Sequence, residues 1–184
     1  DHTMFGFLYR STVGACRNWL RGRISAARMA RMWAAAIQLP FVYLKWAADF
    51  WDAFSWYLRI EQGLAATYFL IPVKGRAGER VPGPIAGRRA ARYEVSELTD
   101  RIGMLMKTGC EIGVHGIDAW HSVEKARLER LKIAVATHAD VSGVRIHWLL
   151  REPNTASVLD TAGYAYDAGL GYNETVGYLN GTSQ

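Results

Sequence analysis

The chain has 184 residues, 50% of them apolar and 21% charged. That length suits one domain with a sizeable core, and that composition excludes a disordered or fibrous chain. The net charge is +5, with Arg10, Arg17, Arg21, Arg23, Arg28 and Arg31 crowding the first part and Arg76, Arg80, Arg88, Arg89 and Arg92 a middle segment. Such clusters attract nucleic acid, acidic glycans or anionic lipid. The plainer expectation is a solvated helix face and a polar loop, with no nucleic-acid partner. No apolar run is long enough to span a membrane. Cys16 and Cys110 lie far apart without CxxC or Cys-His spacing, and are expected as two buried free thiols.

In chain order, Asp1–Leu8 reads as a strand end running into a loop. Thr12–Ile37 reads as helical, with Gly22 as a break and Pro40 as a boundary. A second helical region spans Phe41–Gly63, where Trp46, Phe50, Phe54, Tyr57 and Leu58 recur at helical spacing and are expected to pack in a core. Ala66–Ile71 is a short apolar, aromatic run ended by Pro72, a buried strand. Lys74–Arg92 is rich in Gly, Pro and Arg and reads as a long loop. Tyr93–Thr108 is an amphipathic helix with Val95, Leu98, Ile102 and Leu105 on one side and Gly109 at its end. Cys110–His115 is a strand, and Ser122–His138 a helix with Val123, Ala126, Leu128, Leu131 and Val135 inside. Gly143–Leu149 is a strand, Thr155–Ala162 a helix stopped by Gly163, and Tyr164–Asp167 a last strand. This alternation implies a parallel sheet with crossover helices, whose functional groups gather on the loops at the carboxyl ends of the strands.

Three clusters could carry chemistry. In Glu111-Ile-Gly-Val-His115, strand alternation puts Glu111, Gly113 and His115 on one face and Ile112 and Val114 on the other. Asp118 and His121 follow in the loop. Two imidazoles and a carboxylate are a donor set for a divalent metal such as zinc, although two His six apart also occur as unrelated loop residues. In Gly143-Val-Arg145-Ile-His147-Trp148, Arg145 and His147 share a face, either inward or in water on an edge strand. In Tyr164-Ala-Tyr-Asp167-Ala-Gly-Leu-Gly-Tyr172, Asp167 ends a strand and two glycines follow. That segment is a substrate-positioning loop or a plain Asp–Gly turn.

Taken together and in this order, Thr67-Tyr-Phe-Leu-Ile-Pro72, Cys110-Glu-Ile-Gly-Val-His115-Gly, Gly143-Val-Arg145 and Ala162-Gly-Tyr-Ala-Tyr-Asp167 resemble the polysaccharide deacetylase (NodB-homology) family, carbohydrate esterase family four. The resemblance covers roughly Ala66 to the end, and more loosely the start. It implies an α/β fold, a distorted (β/α) barrel, here a single partial domain over residues 1–184 truncated at both ends. It implies a metal-dependent hydrolase, with a divalent metal such as zinc held in the family's manner by one Asp and two His, that removes an acyl group from an amino sugar of a polysaccharide or glycoconjugate. A neighbouring Asp serves that family as general base, an Arg orients the base, and a late His protonates the leaving amine.

Carried onto this sequence, the resemblance makes His115 the first metal histidine. The second usually lies four positions later, where this chain has Ala119, so His121 is the substitute and Asp118 a local alternative. Arg145 matches the base-orienting Arg. His147 stands where the family often has Pro and is an added polar group near the site. Trp148 matches an aromatic position, Asp167 and Tyr172 are placed for substrate, and Asp1 is assigned as the metal-ligating Asp. The departures at Ala119 and His147 also fit a non-catalytic relative that binds carbohydrate on the same scaffold.

Overall fold

The computed structural model describes residues 4–49, 52–81, 87 and 90–170. The chain forms two compact units, residues 1–57 and residues 58–184. Asp1 and Tyr172, both assigned to the site from sequence, lie outside the described residues.

The first unit is helical. Helix α1 (Met4–Tyr9) runs through a π-helical turn at Arg10–Gly14 into α2 (Ala15–Leu20). The expected strand end at Asp1–Leu8 is therefore helix from Met4 onward. Gly22, with φ +66°, turns the chain, as its place between two helical patterns suggested. Helix α3 (Ala26–Tyr43) starts at Ser25, whose hydroxyl accepts the Arg28 N–H. It does not stop at Pro40 as expected. The proline falls in the last turn, where its ring forfeits one backbone hydrogen bond, and Leu44 N–H still reaches the Pro40 carbonyl. Among the described residues the rest of the second helical region is α4 (Phe54–Ile60); of its expected aromatic core, Trp46 and Tyr57 are exposed, Phe54 and Leu58 are half-buried, and Phe50 lies outside the described residues.

The second unit is mixed α/β. Four strands, β1 (Thr67–Leu70), β2 (Glu111–Gly116), β3 (Gly143–Ile146) and β4 (Tyr166–Asp167), form one parallel sheet in sequential order. The links carry α5 (Thr99–Lys107), α6 (Val123–Thr137) and α7 (Thr155–Thr161), because parallel neighbours need a crossover and a hairpin cannot supply one. A 3-10 turn at Val95–Leu98, capped reciprocally by Glu94 and Glu97, leads into α5. Register pairs Leu70 with Val114 and Val114 with Val144, and these three are buried with Ile112 and Ile146 on the face that α6 covers. Burying each such side chain contributes about 1.5–3 kcal/mol.

Leu128, Leu131 and Val135 of α6 are exposed, and the inward stripe is Ala126, Glu129, Ile133 and Thr137. The helix is rotated so that a carboxylate, not a leucine, meets the end of β2. Cys16 and Cys110 are free thiols, but half-buried ones.

The opposite face of the sheet carries Thr67, Phe69, Glu111, Gly113, His115, Gly143, Arg145 and Tyr166 by the same alternation. Its middle row contains two glycines for a steric reason. A Cβ at Gly113 would lie 2.7 Å from the Phe69 ring, and one at Gly143 would lie 2.3 Å from the Tyr166 ring. Each glycine is the floor on which an aromatic ring from the adjacent strand lies.

Candidate functional site

Tyr166, leaning across Gly143, donates its hydroxyl to Glu111 at 2.7 Å. Thr67 and Ser142 donate to the same carboxylate at 2.8 and 3.2 Å. The Tyr166 hydroxyl, helped by the other two, holds the Glu111 carboxyl below its ordinary range against partial burial. Glu111 is thus an anchored anion at the amino end of the face, tying β1, β2, β3 and β4 together.

The carboxyl end of the same face is built differently. His115 and Arg145 are register partners on β2 and β3. The strand expected to run to Leu149 ends at Ile146, and His147–Leu149 form a tight turn. Trp148 and Leu149 both adopt positive φ, +64° and +54°, a conformation that costs a non-glycine residue about 1–2 kcal/mol. The turn leaves His147 buried, and brings its Nδ1 to 2.7 Å from Nε2 of His115. One nitrogen donates and the other accepts, the roles being set by the two tautomers. The Trp148 ring is turned outward and half-exposed beside His147, with ring centroids 6.2 Å apart.

Arg145 donates to the Ala168 carbonyl at 2.8 Å, fastening the loop after β4 to β3. In that loop Asp167 accepts the Gly169 N–H at 2.7 Å and stands 3.9 Å from Arg151. Asp167 is therefore engaged in turn chemistry and an ion pair at the strand end.

Asp118 and His121 form a second pair. His121 Nε2 lies 3.3 Å from the Asp118 carboxylate, and both side chains are under 10% exposed, at 4% and 7%. The same Asp118 oxygen accepts the Glu79 N–H at 2.9 Å, and Glu79 pairs with Lys125. Glu129 of α6 accepts the N–H groups of Ile117 and Asp118 at 2.9 and 2.8 Å. These bonds hold the turn after β2 from below. Among the described residues, no three His, Cys, Asp or Glu side chains group to hold a metal ion. His115, Asp118 and His121 stand as members of two pairs, His115 with His147 and Asp118 with His121.

Burial pushes the Glu129 carboxyl up to about 7, despite the Asp118 and Ile117 amides that favour its anion. Glu129 is the residue that sequence reasoning missed, because a Glu on a charged helix reads as solvent-facing. The available signal was its place in the stripe Ala126-Glu129-Ile133-Thr137, spaced three, four and four.

Comparison with protein-family models, with curated proteins and with solved structures found no match to this chain. No helix among the described residues is long and apolar enough to cross a membrane.

Proposed function

We propose that this chain is a metal-dependent hydrolase of the polysaccharide deacetylase type, which removes an acyl group from an amino sugar, and that its reaction centre is the His115–His147 pair. The single observation that carries the proposal is the 2.7 Å approach of their ring nitrogens at the carboxyl end of adjacent parallel strands, where α/β folds collect function. The sequential order of the four strands is that of an arc of a (β/α) barrel, and the proposal includes such a distorted barrel.

The two imidazoles are zinc donors in kind, and among the described residues no third His, Cys, Asp or Glu joins them. Two imidazole nitrogens on a tetrahedral ion at about 2.0–2.1 Å lie roughly 3.3 Å apart, so the pair would open by about 0.6 Å. His115 and His147 would hold the ion. When bound, the ion would polarise the amide carbonyl and acidify the attacking water.

The chain's own groups supply the rest. Arg145, on the same face as His115, fixes the Ala168 loop at the edge of the site. The exposed Trp148 ring offers an apolar platform for a sugar face beside His147. Asp118 and His121 position the turn that follows His115 and are assigned no contact with the ion.

The test is acetate release from N-acetylglucosamine oligomers by the zinc-supplemented chain, with His147→Ala as control. Zinc-dependent release that the variant lacks supports the hydrolase. Saturable oligosaccharide binding without acetate release would instead support the carbohydrate-binding alternative.

A further inference from the structure

Residues 2–48 contain seven Lys and Arg and no Asp or Glu, and every one of the seven is exposed. Within the first unit, only Ser11, Ala15, Ala36 and Leu39 are buried among the described residues. With so few buried residues, Trp33, Ile37, Phe41, Tyr43, Leu44 and Trp46 stay exposed. On α3, Met29, Met32, Ala36 and Leu39 follow one another at spacings of three and four and form the less exposed side. Trp33, Ile37, Phe41 and Leu44 recur at four, four and three and make a second apolar stripe, in which Ile37 is 68% exposed. Trp46 extends it, 75% exposed with its ring centroid 6.3 Å from that of Phe41. At the other end, the last turn of α2 presents Trp19 and Leu20 among Arg17, Arg21, Arg23 and Arg28, with Leu20 76% exposed.

We infer that the first unit docks on the surface of an anionic lipid bilayer. Guanidinium groups meet lipid phosphates, and the stripe and the turn insert side chains at the headgroup–acyl boundary. Charge complementarity selects the anionic surface: a segment with seven cations and no anion is drawn to it. The aliphatic members select lipid over a polyanion in water. Leu20, Ile37 and Leu44 gain nothing from a phosphate polymer and gain apolar burial at a hydrocarbon boundary. Aromatic rings such as Trp33 and Trp46 favour the same interface. This assignment is independent of the amide hydrolysis proposed above.

The experiment is co-sedimentation of the full chain with vesicles of equal parts phosphatidylglycerol and phosphatidylcholine, and with pure phosphatidylcholine. Binding is expected only to the anionic vesicles, with a blue shift in tryptophan emission. Each of Arg21→Gln, Arg23→Gln and Arg28→Gln is expected to weaken it by about fivefold. The triple variant Trp33→Ser, Ile37→Ser, Phe41→Ser alters exposed positions only, and is expected to abolish the emission shift and most of the binding. Equal binding to both vesicles, or to neither, overturns the inference. So does full retention of binding in the serine variant, because attraction would then be charge alone. Preferential binding to polynucleotide over anionic vesicles overturns it, as does a stable dimer that covers the stripe and binds no vesicle.

Discussion

His115 and His147 stand on neighbouring elements thirty-two residues apart in sequence, and their ring nitrogens approach to 2.7 Å. The contact exists because β3 stops at Ile146 and two left-handed residues, Trp148 and Leu149, turn the chain away immediately afterwards. Backbone strain of this kind persists where surrounding structure over-determines it and clusters at binding and catalytic sites.

If Trp148 is a sugar platform, Trp148→Ala should raise KM for an acetylated oligosaccharide by about fivefold, the worth of about 1 kcal/mol of ring contact. Zinc content should not change. A KM at the wild-type value would remove Trp148 from the site.

Arg145 is expected to act through position. Arg145→Ala frees the Ala168 carbonyl and should lower turnover by about 100-fold, the scale on which small misplacements act, with zinc retained. Steady-state kinetics beside metal analysis separates the two effects. If turnover is unchanged, Arg145 has no role in the site.

The glycine floor predicts overpacking. Gly143→Ala should destabilise the second unit by about 1–3 kcal/mol, because the new methyl meets the Tyr166 ring. Combining it with Tyr166→Ala should recover part of that loss in urea unfolding. Strict additivity of the two substitutions would show that the ring and the methyl never meet.

Glu129 makes stability depend on pH. Its folded value, about 7, lies above the ordinary 4.5. Its contribution is therefore complete below pH 4.5 and is lost as pH rises through 7. On the order of 3 kcal/mol of unfolding free energy should disappear across that window. Glu129→Gln should be nearly pH-independent in the same window, from a baseline about 1 kcal/mol lower because one backbone N–H loses its acceptor. Identical pH slopes in the two proteins would contradict the assignment.

The strands were legible where the residue pattern had period two. Glu111, Gly113 and His115 alternate with the buried Ile112 and Val114, so both the strand and its polar face followed from the letters alone. The turn at His147 was not legible, because Trp148 and Leu149 carry no glycine or asparagine to announce a left-handed backbone. That turn pairs His115 with His147 and leaves His121 to Asp118. The inward face of α6 was misjudged for a related reason. Leucines were placed inside by composition, whereas the turn after β2 needed an acceptor for the Ile117 and Asp118 N–H groups, and Glu129 supplies it. In the first unit, Trp46 and Tyr57 have helical spacing and still stay exposed, because spacing alone does not supply a partner to bury against.

Zinc stoichiometry across three single variants tests the reaction centre most directly. With the full chain, His115→Ala and His147→Ala should each abolish binding of one zinc ion, and His121→Ala should leave it intact. Loss of zinc in His121→Ala with retention in His147→Ala would place the ion at the Asp118 turn and contradict the account.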